Sequence, residues 1–316
     1  MHWLITASRR LKELGILGMN RRNAACILDR NSRALFPLVD DKLRMQDLCR
    51  RIHVPTPIVH DSIDYHSMLR RFPQNLGDRA DFVIKPNHGS AGRGVLVLVG
   101  RDAKGYRRHN GECVRVDQVR QHLSDILSGM YSLGARPDRA IFQQRVRLHP
   151  AFAAVAYQGI PDIRVILYRN EPAMAMLRLP TKASNGRANL HQGGIGTGID
   201  LASGFTHHAV QRNRMIECHP DTGMPVIGLR VPHWPRVLGL ARRVASAVGL
   251  GYLGVDIVID EIEGPMLLEA NARPGLAIQI ANGRGLLPRL KAIDALCDKP
   301  REPTVNIAIP KWKKSA

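Results

Sequence analysis

Three oxygen-bearing side chains, Asp256, Glu269 and Asn271, sit in or directly after two otherwise apolar runs, Gly254–Ile259 and Met266–Ala270. The polar Asp-Glu-Ile-Glu-Gly-Pro stretch between the runs reads as the turn of a β-hairpin spanning Leu253–Gly275. Glu269 and Asn271 are two positions apart and so share one face of a strand. A turn centred near residues 262–263 sets Asp256 roughly opposite Glu269. Carboxylates in runs this apolar are unusual without a partner. Three hard oxygen donors on one face suit Mg²⁺, which accepts carboxylates supplemented by water and substrate phosphates. The alternative for these residues is a solvated sheet face with no metal.

A second group of residues suits phosphate chemistry. Phe82-Val83-Ile84-Lys85-Pro86 reads as a strand carrying a lysine among apolar neighbours, and Val95–Val99 as a second strand. Between them lies Asn87-His88-Gly89-Ser90-Ala91-Gly92-Arg93-Gly94. A Walker loop or a dinucleotide fingerprint needs a helix after its glycines, and no Gly-Lys-Ser/Thr ending is present. A glycine-rich hairpin tip with free backbone N–H groups instead suits a lid that folds over phosphates. Lys85 strengthens that reading, because a cation in an apolar strand calls for an anion.

Arg164 and Arg178 interrupt two further apolar strands, Asp162–Tyr168 and Ala173–Arg178, joined around Arg169–Pro172. Both are candidates for phosphate or carboxylate recognition. A long polar loop over Thr181–Asp200 carries Arg187-Ala188-Asn189-Leu190-His191-Gln192-Gly193-Gly194, a composition that favours function. Gln143 and Gln144, on a short strand over Ala140–Val146, could offer amide contacts to a base or ribose, or lie on the surface. His207-His208 reads as a surface pair, since adjacent strand residues point oppositely and no further ligand spacing appears.

The positioning elements are legible in outline. Residues 1–40 are Arg- and Asn-rich, with Asn20-Arg21-Arg22-Asn23 and Asn31-Ser32-Arg33 between two short amphipathic helices. Asp41 caps a helix over Lys42–Ile52 that stops before Val54-Pro55-Thr56-Pro57. A short helix is expected over Tyr65–Phe72. Another runs from an Asp117 cap to Leu133, with Val119, Leu123, Ile126, Leu127 and Met130 as a core stripe. Pro235–Val248 forms an amphipathic helix ended by Gly249 and leads into the carboxylate hairpin.

Composition narrows the class. The net charge of +19 calls for an acidic partner without choosing among nucleotide phosphates, acidic peptides, nucleic acid or an anionic surface. Aromatics at 5% argue against a base-stacking surface for single-stranded nucleic acid. Five scattered cysteines with no Cys-x-x-Cys pair fit neither a zinc site nor a disulfide scaffold, and they fit a reducing cytosol. The first ten residues are too weakly apolar for a signal peptide and no run reaches membrane-spanning length, so a cytoplasmic location is expected. The basic tail Lys311-Trp312-Lys313-Lys314 reads as solvated charge.

Taken in order, the cation on a strand, the glycine lid, the joining strand, Asp162-Ile163-Arg164-Val165, Arg187–Gly194 and Gly254-Val255-Asp256 with Glu269–Gly275 resemble the ATP-grasp superfamily. The resemblance is nearest to its α-L-glutamate ligase-like branch, related to the enzyme that adds glutamates to a ribosomal protein, and covers roughly residues 41–290. It implies an α+β fold of two lobes clamping ATP; the family's usual leading βαβ domain is not visible, a departure in which a short N-terminal segment (1–40) stands in its place. The lobes are then expected at 41–139, with the lid, and 140–316, with the hairpin. Mg²⁺, with Mn²⁺ able to substitute, is implied at Asp256, Glu269 and Asn271. Lys42 and Lys85 match positions that touch the α- and β-phosphates, and Ser90, Ala91 and Gly92 match the lid. Gln143 and Gln144 stand at the nucleotide, though the family generally uses a glutamate at the position of Gln144. Arg164, Arg187, Asn189 and Arg273 are implied on the catalytic and acceptor side.

The implied activity is amide or peptide bond formation from a carboxylate and an amine through an acyl-phosphate, with glutamate a candidate amino acid. Small-molecule or peptide substrates are expected, without specific nucleic-acid binding or a membrane span; a homo-oligomer is compatible. Two other classes compete: a non-catalytic nucleotide-binding regulator on the same fold, and a protein whose charge alone draws nucleic acid.

Overall fold

Alternating side chains build both sheets. On the strand pair Asp162–Tyr168 and Glu171–Leu179, Ile163, Val165, Ala175 and Leu177 enter one core, while Arg164 and Arg178 point to the opposite face. A computed structural model describes residues 9–89, 92–132 and 134–298. Ser90 and Ala91 of the expected lid, Leu133 and the basic tail 311–314 lie outside the described residues.

The first sheet has six strands: β1 (Val59–Ile63), β2 (Asp81–Pro86), β3 (Leu96–Asp102), β4 (Gly105–Arg107), β5 (Cys113–Val114) and β6 (Ala140–Gln143). Their order is β1-β6-β2-β3-β4-β5. Phe72, Phe82, Tyr106 and Phe142 pack as a ring cluster beneath it, against Val119, Leu123 and Ile126 of the helix Val116–Leu127. That helix begins and ends earlier than its sequence pattern suggests. Arg115 rather than Asp117 occupies the cap, with its backbone N–H donating to Gln118 Oε1 at 2.8 Å. At its end Gly129 takes φ +81°, where an added Cβ would meet the Arg136 carbonyl oxygen at 2.3 Å. Met130, past this break, is exposed and leaves the core stripe.

The second sheet has seven strands: β7 (Asp162–Tyr168), β8 (Glu171–Leu179), β9 (Ile195–Ile199), β10 (Thr206–Gln211), β11 (Arg214–Met215), β12 (Tyr252–Asp260) and β13 (Gly264–Asn271), in the order β11-β10-β9-β8-β7-β12-β13. Arg169 and Asn170, both with positive φ, make the tight turn between β7 and β8. The stretch expected to be one long loop, Thr181–Asp200, is more ordered than that. It contains short 3₁₀ turns at Lys182–Ser184 and Leu190–Gln192 and the whole of β9, because Ile195 and Ile199 find buried places beside β8.

One face of this sheet is covered by the helix Trp234–Val248. The other is covered over part of its area by the N-terminal segment and the helices Ala277–Ala281 and Leu287–Cys297. In the N-terminal segment an α-turn, Met19–Arg21, runs into a π-helix, Arg22–Leu28, whose Cys26 and Ile27 are buried. Asn31 ties it to the hairpin: its amide donates to the Tyr252 and Ala272 carbonyls at 2.8 and 3.1 Å and accepts from the Tyr252 N–H at 2.9 Å.

The helix Lys42–Arg51 starts at Asp41, whose Oδ1 accepts from the Arg44 N–H at 2.9 Å. Its Met45 and Cys49 belong to the second sheet's core, whereas β6 lies between β1 and β2 in the first sheet. Boundaries at 40/41 and 139/140 therefore run through shared structure. Among the described residues no helix is long and apolar enough to cross a membrane.

Candidate active site

The hairpin β12–β13 has the register expected from its turn: Asp256 stands opposite Glu269 and Gly254 opposite Asn271. β7 and β8 complete the site, because β7 sets Arg164 beside Asp256 and β8 sets Arg178 beside Asp162. Arg164 grips Asp256 with two parallel bonds, Nε to Oδ1 at 2.7 Å and Nη2 to Oδ2 at 2.5 Å. Arg178 bridges to Asp256 Oδ2 at 2.8 Å and also bonds Asp162.

Asp256 is wholly buried. Burial acts to raise its pKa, but the charges of Arg164 and Arg178 outweigh it and hold the carboxyl well below the usual range. Asp162, sharing Arg178 with Asp256, is pushed up by burial. The two arginines thus keep a carboxylate ionised in a site that would otherwise protonate it.

Glu269 and Asn271 are less enclosed. Asn271 Nδ2 lies 3.4 Å from Glu269 Oε1 and 3.5 Å from Asp256 Oδ2, so the three expected metal ligands form one cluster. Among the described residues no three His, Cys, Asp or Glu side chains are set to hold a metal by themselves. Two carboxylates and an amide nonetheless fit Mg²⁺, whose shell is ordinarily completed by water and phosphate oxygens. Which amide atom Asn271 presents depends on its flip.

Two cavities meet at Glu269. The smaller is lined by Lys42, Met45, Lys85, Gln143 and Leu267. The larger, about 300 Å³, is lined by Lys42, His88, Arg164, Arg178, Asn189 and Asn271. Lys85 is buried, and its pKa is driven down to about 7, by burial first and by the charge of Lys42 second, with Glu269 opposing. Lys42 is lowered by burial as well, against the charges of Glu269, Asp138, Asp41 and Asp40. Its Nζ donates to the carbonyls of Asn87 and Gly89 at 3.1 and 2.7 Å, at the root of the glycine loop.

The remaining expected site residues fall in different places. Gln143 lines the smaller cavity, with its amide donating to Pro57 O at 2.9 Å. Gln144 instead accepts from the Ile58 N–H at 3.1 Å, so its side chain serves the backbone of the segment before β1. Asn189 lines the larger cavity and caps the short turn after it, accepting from the His191 N–H at 3.0 Å. Arg187 lies against the glycine loop: a Cβ on Gly92, itself at φ +70°, would sit 3.7 Å from Arg187 Cδ. Arg273 turns outward to Asp40, at 3.1 Å, and stacks its guanidinium 4.8 Å over the Phe36 ring. His207 and His208 both bind the 281–282 segment, at Asn282 Oδ1 and the Ala281 carbonyl.

Sequence reasoning did not single out His88, Asp138, Asp40 or His191 as site residues. His88 and His191 stand inside the quoted glycine-loop and acceptor-loop motifs, which was the available signal. Asp138 sits in an unremarkable Arg-Pro-Asp-Arg stretch and offered none.

A family described as sugar-transfer associated ATP-grasp matches residues 21–295. The chain belongs to this family. Its fold is the ATP-grasp fold, two α+β lobes built on antiparallel sheets. A cyanophycin synthetase from Synechocystis sp. (strain ATCC 27184 / PCC 6803 / Kazusa) is 22% identical over 333 aligned residues, 93% of this chain. The chain spans only 34% of that relative's length. Among solved structures, a biotin carboxylase–β,γ-ATP complex from Campylobacter jejuni is similar with a TM-score of 0.50 at 13% identity, over 83% of this chain and 47% of that one. The ATP-grasp ligase PsnB with minimal precursor, Mg and ADP gives 0.46 at 17% identity, over 85% and 61%. For this ATP-grasp member the likeness to the biotin carboxylase speaks to fold alone.

Proposed function

We propose that the protein is an ATP- and Mg²⁺-dependent carboxylate–amine ligase that forms an amide or peptide bond and releases ADP and phosphate. The observation that carries this reading is the cluster of Asp256, Glu269 and Asn271 at the meeting of two cavities, with Lys42, Lys85, Arg164 and Arg178 around it. ATP is assigned to the smaller cavity and its mouth, with Lys42 and Lys85 at the α- and β-phosphates. The loop 87–94, including Ser90, Ala91 and Gly92, is assigned to cover them.

In the reaction the carboxylate oxygen of one substrate attacks the γ-phosphorus of ATP, and the bond from that phosphorus to ADP breaks. The amine of the second substrate then attacks the acyl carbon, forming C–N while the C–O bond to phosphate breaks. Asp256, Glu269 and Asn271 would hold Mg²⁺, which would supply neutralisation of phosphate charge. Phosphoryl transfer asks mainly for positioning and charge neutralisation, which suits a site of fixed arginines and lysines. Arg164 is assigned to the γ-phosphate and acyl-phosphate, and Arg187 and Asn189 to the acceptor side, with Arg273 contributing through the loop that follows Asn271. An acyl-phosphate formed in the larger cavity must be kept from water, a task assigned to the loop 87–94.

The glutamate ligase-like affinity makes glutamate one candidate amine or acid. The family's association with sugar transfer adds hexuronic acids and amino sugars. We place the reaction in the cytoplasm, with Mn²⁺ able to replace Mg²⁺. The test is an ADP-release screen pairing amino acids, acidic peptides, hexuronic acids and amino sugars, with product masses read out. ADP should appear only with ATP, a divalent cation and both substrates. Nucleotide binding without turnover across that panel would favour a non-catalytic regulator and count against the ligase.

A further inference from the structure

His88 stands where β2 runs into the glycine loop and lines the larger cavity beside Arg164, Asn189 and Glu269. Its ring is held from behind by Asp138, whose side chain is fully buried. The Asp138 carboxylate lies 2.7 Å from His88 Nδ1 and accepts from the backbone N–H groups of His88 and Arg139, at 2.9 and 2.8 Å. The Ser132 hydroxyl donates to it at 2.6 Å. Burial would raise this carboxyl, but the bonds from Ser132 and His88 outweigh it and keep its pKa below the ordinary value.

An ionised Asp138 can only accept. Nδ1 of His88 therefore carries the hydrogen, and in that tautomer the lone pair lies on Nε2. Asp41 Oδ2 lies 3.5 Å from Nε2, positioned to stabilise the ring once it has gained a proton. The neighbouring helix also brings Lys42, whose ammonium is tied to the Gly89 carbonyl at 2.7 Å. Arg164, Arg178, Glu269 and His191 line the same cavity. The arginines are cations, Glu269 is grouped with Asn271, and among the described residues the His191 ring has no carboxylate to orient it.

An amine substrate arrives at neutral pH as an ammonium ion and must shed a proton before or as it attacks. We propose that His88, positioned by Asp138, is the general base for this step, an inference that rests on the ligase reading above. His88 Nε2 takes one proton from the ammonium, which frees the lone pair that bonds to the acyl carbon, and the second proton on that nitrogen passes to the departing phosphate. The C–O bond to phosphate breaks and the phosphate leaves with the electron pair. Solvent then takes the proton from the ring. Asp138 acts through the imidazole, fixing its tautomer and offsetting its charge.

The test compares two nucleophiles on one acid. The acid–amine pair found in the screen is run with wild type, His88→Gln and Asp138→Asn, and the amine is then replaced by hydroxylamine, which is already unprotonated at neutral pH. His88→Gln should lose about a hundredfold or more in amide formation, while hydroxamate formation from the same acid and ATP stays within a few-fold of wild type. Asp138→Asn should lower amide formation and shift the acid limb of its pH–rate profile to lower pH, because the imidazolium loses its anionic partner. A nucleotide-induced rise in melting temperature checks that each variant is folded. Equal loss of amide and hydroxamate in folded His88→Gln would overturn the proposal and assign His88 to phosphate or loop positioning. Unchanged amide formation would overturn it too. Failure of the screen to yield any joined acid–amine pair is a separate result, and it would retire the ligase reading itself.

Discussion

Two sets of cations flank Glu269, and they are held in opposite ways. Arg164 and Arg178 come already paired, bonded to Asp256 and Asp162 within the second sheet. Lys42 and Lys85 are not. Lys42 is tied to carbonyls, and among the described residues no hydrogen-bond partner reaches the Lys85 ammonium. Burial acts on Arg178 as on the two lysines, yet only the lysines yield to it, with Lys85 falling to about 7. Arginine stays charged because its guanidinium is so strongly basic and its fork matches a carboxylate, whereas an ammonium loses its proton readily when desolvated. The arginine side is therefore built before any ligand arrives. On the lysine side nearby carboxylates, Glu269 first, oppose the effect of burial without pairing with either ammonium, and a triphosphate would supply an anion in contact.

Breaking the arginine side should have the largest effect. Asp256→Asn leaves two buried arginines short of charge compensation and should cost about 3–5 kcal/mol of stability, read by urea unfolding, along with turnover. Glu269→Gln, at the junction of the two sides, should abolish ADP release with far less loss of stability. If both variants kept full activity, the metal assignment would be wrong.

The lysine side should respond in the other direction. Lys85→Met removes a desolvated ammonium and should stabilise the nucleotide-free protein by roughly a few kcal/mol near neutral pH, while nucleotide binding collapses. The sign follows from the depressed pKa. Between about 7 and the ordinary lysine value of 10.5, the unfolded chain binds more protons than the folded one, so wild-type stability rises with pH across that window. The advantage of Lys85→Met should accordingly shrink from pH 7 to pH 10 in parallel melts. A constant advantage would show that Lys85 is not the titrating group.

A smaller signal comes from binding itself. If a triphosphate restores the charge on Lys85, nucleotide binding between pH 7.5 and 9 should take up about one proton. Calorimetry in buffers of different ionisation enthalpy reads this directly, and no buffer dependence would count against the assignment. The smallest effect is expected at Arg273, outside both sets. Its exposed pairing with Asp40 and its place over Phe36 together make Arg273→Ala a loss of about 1 kcal/mol or less. Its effect on turnover should be well below that of Arg164→Ala.

Much of this contrast was legible before the fold. The hairpin carrying Asp256, Glu269 and Asn271 could be read because its strands are apolar and its turn polar, and a period of two sets which residues share a face. Lys85, Arg164 and Arg178 stood out for the same reason, as charges in apolar strands. Local signals fared worse where two answers satisfied one pattern. The helix Val116–Leu127 is shorter than its periodicity suggests because nothing in the pattern near Met130 announces the close backbone approach at Gly129. The strand β9 is not legible in its polar surroundings because two isoleucines among glycines gain their burial only from β8 and the helix beyond.

What the sequence by itself determined was the chemical kind of each group and the face it occupies, since both follow from residue type and strand period. It could not show that Arg164 and Arg178 converge on Asp256, for those partners are 92 and 78 positions apart and meet only through the lateral order of β8, β7 and β12. Nor could it join His88 to Asp138 across 50 residues, a contact made where the end of β2 passes the approach to β6. Strand order and loop closure are set by burying the two cores as a whole. The pairing of charges, and with it which lysine loses its proton, was therefore decided by the tertiary structure.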